Sequence, residues 1–210
     1  IAVLMASPEQ THLPKHFANL LIAPVAELAE AVKAELARVQ RPYGGVICHR
    51  EGKKITVEKS GAPAGAGEWT HQNGNAANTL CSDDELVKGQ LSMFWFRDVE
   101  FEIANRHGQG PAPLVSQGYM VVSGVNGLVC VDAFNGRLLW EFPLKEFLID
   151  YDGIHHDVGV GDTGGPFCIG GDSVYVKSGP RCLRIGLATG KLVREFVTPA
   201  AADDANKNWG

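Results

Sequence analysis

One glycine-rich stretch of the sequence concentrates side chains that could bind a metal ion. It reads YDGIHHDVGVGD over residues 151–162, and its candidate ligands are His155, His156, Asp157 and Asp162. Imidazole and carboxylate groups are common zinc ligands, but adjacent residues of an extended strand point to opposite sides, so neighbouring histidines rarely share one ion. The alternative is an exposed connecting loop, and that is what we expect.

The same stretch offers oxygen ligands for a harder cation. Asp150 and Asp152 join Asp157 and Asp162, with glycines between them. Carboxylate oxygens on a flexible loop suit calcium, but this spacing does not match an EF-hand. A calcium site here is therefore a secondary hypothesis.

A second stretch could bind an anion. It contains Asn105, Arg106 and His107, followed by a run rich in glycine and proline. An arginine beside a histidine could hold a carboxylate through charge-assisted hydrogen bonds. The alternative is hydrogen bonding within an irregular turn.

The composition excludes several other classes of site. The 210 residues carry a net charge of −5, which argues against a nucleic-acid surface, and 25 Gly and 11 Pro are normal for a turn-rich β protein. No apolar run reaches the ~18 residues that span a bilayer. Five cysteines occur without a CxxC pair, and we expect buried thiols, with one or two disulfides as the alternative. No phosphate loop, GxGxxG or GxSxG motif is present, so no sequence motif pairs a nucleophile with a general base.

The chain contains a repeat that must position these residues. GYMVVSGVNGLVCVDAFNGRLLWEF, from Gly118, aligns without gaps on DSVYVKSGPRCLRIGLATGKLVREF, from Asp172, at a period of 54 residues. Asn135-Gly136 between two apolar runs is a strong hairpin signal, because both residues tolerate a positive φ. A strand-based period of this size indicates a propeller or a similar array.

Each copy predicts an antiparallel meander of at least three strands. The expected strands combine β-branched, aromatic and aliphatic residues between glycine-bearing turns. They cover 119–123, 128–131 and 138–142 in the first copy, and 173–177, 182–185 and 192–196 in the second.

The segment VDAFNGRLLWEF resembles the blade-closing motif of pyrroloquinoline-quinone-like β-propeller repeats. Asp132, Gly136 and Trp140 match that motif, and the resemblance implies that the glycine makes the turn while the tryptophan docks between neighbouring blades. The second copy keeps Gly190 but has Gly186 and Arg194 at the positions of Asp132 and Trp140. We therefore expect the second copy to form the same hairpin. The tryptophan that would dock between neighbouring blades is replaced by Arg194.

The resemblance extends over residues 67–210. The stretch 67–96 is similar to the start of such a propeller, and Trp69 and Trp95 fall at its tryptophan positions. The stretches 105–118 and 162–172 resemble inner strands that approach the propeller axis. The resemblance thus implies that Asn105, Arg106 and His107 lie near an axial mouth.

Residues 1–50 follow a different pattern. IAVLMAS and FANLLIAP are expected to be buried strands, 25–40 carries a helical apolar stripe, and VICHR is a third strand. Strand–strand–helix–strand indicates an α/β segment. It resembles the distal half of a class I, Rossmann-like methyltransferase domain, with Arg41-Pro42-Tyr43-Gly44-Gly45 before the last strand, but the Gly-rich loop that grips the methyl donor does not occur. Residues 51–66 are expected to be a linker.

The expected architecture is mainly β. Incomplete propeller blades, built as antiparallel four-stranded meanders, occupy 67–210 after a partial α/β methyltransferase-like segment and the linker. The whole resembles planctomycete-type propeller proteins with a methyltransferase-like segment. Because about four to eight blades are needed to close a ring, the expectation is a fragment whose remaining blades come from the same protein or from another chain.

Three functions are consistent with the sequence. The first is a non-catalytic scaffold that binds a protein or a small ligand. The second is part of a quinoprotein dehydrogenase, for which the resemblance implies pyrroloquinoline quinone with calcium on the axis. The third is S-adenosylmethionine-dependent methyl transfer by the N-terminal segment. The resemblance also implies a periplasmic or extracytoplasmic location.

Overall fold

The protein is mainly β and forms two compact units. The computed structural model describes residues 5–24, 27–97, 112–124, 126–145, 147 and 167–197. The first unit comprises Ile1–Ala66 and Gly89–Trp95, and the second comprises Gly67–Lys88 and Phe96–Gly210. Within the described ranges, no helix is long and apolar enough to cross a membrane.

The first unit contains a three-stranded mixed sheet and one helix. Its elements are β1 (Leu20–Ala23), α1 (Glu30–Val39), β2 (Val46–Glu51) and β3 (Lys54–Lys59). Strands β1 and β2 are parallel, as a strand–helix–strand crossover requires, and β3 pairs antiparallel with β2. A larger Rossmann-like sheet does not occur among the residues described here, so the methyltransferase resemblance stays a prediction.

Helix α1 is anchored by a buried carboxylate. The Glu35 side chain is only 8% exposed, and its oxygens accept hydrogen bonds from Nε and Nη2 of Arg38 at 2.7 and 2.8 Å. The backbone and hydroxyl of Thr11 donate to the same carboxylate at 2.9 and 2.6 Å. The helix begins later than the apolar stripe predicts, because Ala29 at the N-cap has no side-chain acceptor to hold a further turn.

Three expectations for this region were wrong. Strand β1, expected to be buried, has Leu20 57% and Ile22 69% exposed. The supposed linker 51–66 contains β3, whose residues Lys54–Lys59 pair with all of β2 through a tight turn at Gly52. Every residue of β3 is exposed. Polar residues flank its β-branched residues, and this conceals the strand pattern in the sequence. Met5, expected in a buried strand, is 97% exposed and precedes a turn closed by Gln10 N–H on the Ser7 carbonyl.

The second unit contains two four-stranded antiparallel sheets. The first has the order β4 (Leu114–Ser116), β5 (Tyr119–Gly124), β6 (Gly127–Asp132) and β7 (Leu138–Pro143). The second has the order β8 (Phe167–Gly170), β9 (Ser173–Ser178), β10 (Arg181–Gly186) and β11 (Leu192–Val197). The predicted antiparallel meanders are confirmed, and each has a further first strand, β4 or β8, which we call the inner strand.

The two sheets repeat each other in detail. A register shift falls between Cys130 and Val131 in the first sheet, and between Arg184 and Ile185 in the second. These positions are 54 residues apart, like the two copies in the sequence. The repeat therefore specifies the bulge as well as the strands.

One apolar core lies between the sheets. The inner strands β4 and β8 contact each other across the two sheets. The core draws on one face of each sheet, and its buried members are Leu114, Val121, Leu128, Cys130, Trp140, Phe167, Ile169, Val174, Val176, Leu183, Ile185 and Leu187. Within the described part of the chain, the two sheets do not close into a ring.

We predict that Glu35→Gln destabilises helix α1 at neutral pH and that this difference shrinks in acid. The Arg38 and Thr11 hydrogen bonds hold the pKa of Glu35 well below its ordinary value. The stabilisation is therefore complete above the unfolded-state pKa of about 4.3, and is lost as the pH falls towards the folded-state value. Hydrogen exchange of α1 amides, compared between variant and wild type at each pH, measures the effect.

The exposed pair Lys33–Glu30 supplies the control for this experiment. It has the same three-residue spacing on the same helix, but its side chains are 52% and 87% exposed. Glu30→Gln should leave exchange almost unchanged at every pH. An equal effect of the two substitutions would show that Glu35 contributes no more than a surface charge.

Candidate functional site

The main candidate site is the junction where Trp140 joins the two sheets. Trp140 lies on β7 and is 8% exposed. Its indole Nε1–H donates a 2.7 Å hydrogen bond to the carbonyl oxygen of Leu187, just beyond β10. Buried tryptophan needs such a partner for its single polar group. The indole therefore contributes both packing and a directed bond across the sheets.

Gly190 provides the space that the indole occupies. A Cβ built on Gly190 would lie 2.6 Å from both Cγ and Cδ2 of Trp140. Gly190 also has φ +65°, a left-handed conformation that glycine adopts at little cost, and its N–H donates to the Gly186 carbonyl at 2.8 Å. Two separate requirements thus favour glycine here.

The corresponding turn of the first sheet uses a carboxylate. Asp132 is 1% exposed, and its Oδ1 accepts the Phe134 N–H at 2.9 Å while its carbonyl accepts the Gly136 N–H at 2.9 Å. In the second sheet the equivalent residue is Gly186. A Cβ on Gly186 would lie 2.7 Å from Thr189 Oγ1, so the threonine hydroxyl fills the space that an aspartate side chain would need.

Trp69 starts a segment that connects the two inner strands. Its backbone exchanges hydrogen bonds of 2.9 and 2.7 Å with Val115 of β4. The next residue, Thr70, accepts the N–H of Ile169 of β8 at 2.9 Å. Residues 69 and 70 thus join both sheets at their inner edges.

Trp95 lies in the first unit and is half-buried. Near it in sequence, Arg97 belongs to the second unit and donates from Nη1 to the Gly136 carbonyl at 3.4 Å. Gly136 itself has φ +69°, as the Asn-Gly turn predicts.

A polar cluster at the inner edge escaped the sequence analysis. Glu68 Oε1 accepts Ser116 Oγ–H at 2.8 Å and the Gln117 N–H at 3.3 Å. The Gln117 side chain donates from Nε2 to the Gly171 carbonyl at 3.0 Å and so crosses between the sheets. Gln117 has φ +52° in the turn before β5. Its only sequence signal was its place in the repeat, 54 residues before Gly171.

The two predicted ligand-binding stretches lie outside the described residues. These are Asn105, Arg106 and His107 for an anion, and His155, His156, Asp157 and Asp162 for a metal. Both remain predictions. In the part of the chain that is described, no group of three His, Cys, Asp or Glu side chains could hold a metal ion.

The first unit contains a groove of about 520 Å³ beside helix α1. Leu36, Ala37 and Ile47 contribute to its apolar lining. His49 Nε2 lies 3.2 Å from Glu58 Oε1 at its edge, but the two are not aligned as a hydrogen bond. This groove has no counterpart among the sites predicted from the sequence.

All five cysteines are free thiols. Burial raises the pKa of Cys130 to about 12, with a further contribution from the Asp132 charge. Burial also raises the pKa of Cys168 and Cys182. Such thiols are weak nucleophiles at neutral pH. The expectation of buried thiols holds for Cys130 alone, since Cys48, Cys168 and Cys182 are half-buried and Cys81 is exposed, and the structure does not support the disulfide alternative.

Comparisons with known proteins match only part of the chain. No protein-family model matches it, and no curated protein matches it. BamB from Moraxella catarrhalis is similar over 53% of this chain and 31% of its own, with 19% identity and a TM-score of 0.33. The quinohemoprotein alcohol dehydrogenase ADHIIG from Pseudomonas putida HK5 is similar over 65% of this chain and 20% of its own, with 19% identity and a TM-score of 0.44. The chain thus spans less than a third of either protein.

We predict that Gly190→Ala destabilises the second unit more than Gly179→Ala. Gly179 has a similar φ of +56°, but a Cβ there would meet nothing within 4 Å. Gly179→Ala should therefore cost about 1 kcal/mol for its backbone alone, and Gly190→Ala about 2 kcal/mol more for the clash with Trp140. Urea unfolding followed by tryptophan fluorescence gives both values.

A double-mutant cycle isolates the contact itself. In a Trp140→Ala background the clash is absent, so Gly190→Ala should cost no more than Gly179→Ala. Additive effects of Trp140→Ala and Gly190→Ala would contradict the docking described above.

Proposed function

We propose that residues 67–197 form two successive blades of a pyrroloquinoline-quinone-like β-propeller, and that the protein is a non-catalytic binding or assembly scaffold. The observation that carries the proposal is the junction at Trp140. A tryptophan from the outer strand of one four-stranded meander fills the turn of the next, with Leu187 and Gly190 as its partners. Sheets linked in this way are typical of blades arranged around an axis.

The arrangement of the strands supports blades over a two-sheet sandwich. Both sheets run from their first strand outwards in chain order, and their first strands, β4 and β8, contact each other across the sheets. The segment Trp69–Thr70 joins these two strands through backbone hydrogen bonds. The sheets are therefore tied at their inner edges, and the large indole ring fills the space further out. A sandwich would instead bring its central strands face to face at a uniform distance.

The polar groups of the inner edge favour a structural role for this end of the blades. Glu68, Ser116 and Gln117 are engaged with one another and with the Gly171 carbonyl. The hydrogen bond from Gln117 to Gly171 joins the sheets. The binding function then belongs to exposed surfaces of the blades, with a protein partner or further blades as occupants. An extracytoplasmic location is proposed from the family resemblance.

We predict that pyrroloquinoline quinone with calcium neither shifts the thermal midpoint of the full chain nor supports dye-linked oxidation of alcohols or sugars. A ligand that binds the native state raises the midpoint by mass action, so the measurement does not depend on turnover. Arg106→Gln/His107→Gln is the matched variant, because it removes two side chains of the predicted anion site and leaves the Trp140 junction in place.

Two outcomes would overturn the scaffold proposal. Saturable dye reduction that is lost in Arg106→Gln/His107→Gln would indicate a quinoprotein dehydrogenase. A saturable heat on titration with S-adenosylmethionine would assign the function to the N-terminal unit. No response in either assay, together with an intact cooperative unfolding transition, is the expected result.

A further inference from the structure

The repeat allows equivalent faces of the two sheets to be compared position by position. Strand residues alternate between faces, and directly paired residues share one face. In the first sheet, one face packs into the core between the sheets. Its two rows across the strands are Leu114–Val121–Cys130–Trp140 and Ser123–Leu128–Phe142. This face is the one that accepts the next sheet.

The equivalent face of the second sheet has a different chemistry. Its rows, 54 residues later, are Cys168–Tyr175–Arg184–Arg194 and Lys177–Cys182–Phe196. The second sheet contributes its opposite face to the core, through residues such as Val174, Val176 and Ile185. The face with the three cations therefore points away from the first sheet, and we call it the outer face of the second sheet.

The cations on this outer face are close together. Arg184 and Arg194 are directly opposite each other on β10 and β11. Like charges in that position repel. Asp172 relieves Arg184 in part, with an Oδ1 to Nη2 distance of 3.2 Å, and the Ser173 hydroxyl accepts from Arg184 Nε at 2.8 Å. Arg194 has its guanidinium 4.8 Å from the centre of the Phe196 ring.

Glu195, which is next to Arg194 in the sequence, does not lie on the outer face. Glu195 pairs with Leu183 in the register, on the core side of the sheet, and its carboxylate lies 3.8 Å from Arg181. The outer face therefore carries Lys177, Arg184 and Arg194. Among the described residues, Asp172 is the acidic partner of Arg184. The surface has an excess of positive charge beside two aromatic rings, Tyr175 and Phe196.

An apolar sheet of the kind seen in this core would be a poor occupant of the outer face. It would bury Lys177 and Arg194 against Val, Ile and Leu side chains, and buried cations without carboxylate partners are strongly unfavourable. A segment that brings carboxylates would satisfy the guanidinium groups by charge-assisted hydrogen bonds. An aromatic or aliphatic residue in the same segment would pack on Tyr175 and Phe196.

We propose that the outer face of the second sheet is a docking surface for an acidic polypeptide segment that also carries an aromatic residue. The proposal rests on the scaffold function and names the chemical class of its partner. Nucleic acid is a poorer fit, because affinity for a phosphate backbone grows with the number of phosphates neutralised, and Arg184, one of the three cations of this face, is already paired with Asp172.

The test uses the full chain and a fluorescein-labelled peptide of glutamates with one central tryptophan. Fluorescence anisotropy should show saturable binding that weakens as salt is raised. The double variant Lys177→Gln/Arg194→Gln should lower the affinity at least about tenfold, which corresponds to two lost charge-assisted contacts.

The matched control is Arg181→Gln/Lys191→Gln. It removes the same charge from the same sheet, but Arg181 belongs to the core side and Lys191 to the turn before β11. This variant should bind the peptide within about twofold of wild type. Circular dichroism and urea unfolding establish that both double variants fold.

Three results would overturn the proposal. They are no binding of the peptide to the wild type, an equal loss in the two double variants, or equally tight, Lys177- and Arg194-dependent binding of an oligothymidine of similar charge. None of these would by itself indicate quinone or methyl-donor binding, so failure of this surface is distinguishable from failure of the scaffold function.

Discussion

The insertion of Trp140 between the two sheets is the interaction on which the second unit depends. Truncation of a buried tryptophan typically costs about 3–5 kcal/mol, which is a large share of the stability of a domain. The indole also bonds to the Leu187 carbonyl, which fixes its orientation. The indole lies against the turn at Gly190, so the geometry of that turn helps to set the spacing of the sheets. The glycine in that turn is then a packing requirement as well as a conformational one.

The two repeats show which features the architecture demands and which it leaves open. The limits of the last three strands, the bulge and the backbone bond from residue 133 or 187 to the carbonyl of residue 118 or 172 are the same in both copies. The turn chemistry differs, because Asp132 caps the first turn by its carboxylate while Thr189 occupies the space beside Gly186 in the second. The two copies therefore have the same backbone arrangement, although different side chains stabilise their turns.

Much of the second unit could be predicted from the sequence, because its signals are local. Asn135-Gly136 and Thr189-Gly190 mark tight turns, and β-branched residues mark the strands between them. The polar cluster of Glu68, Ser116 and Gln117 depends on contacts 48 and 49 residues apart and has no local signature. Strand β3 was missed for another reason. It is exposed on both faces, so hydrophobic alternation could not reveal it.

A sheet within an array has two faces, and packing on one neighbour constrains only one of them. The core face of the second sheet must be apolar, because it receives Trp140 and the first sheet's aliphatic residues. Its other face is free of that constraint, and the residues at the positions of Val121, Cys130 and Trp140 are Tyr175, Arg184 and Arg194. Substitution of these apolar residues by one tyrosine and two arginines leaves the hydrogen-bond ladder intact, since the ladder uses only the backbone. Differences between copies of one repeat can therefore change what a sheet binds without changing how it folds.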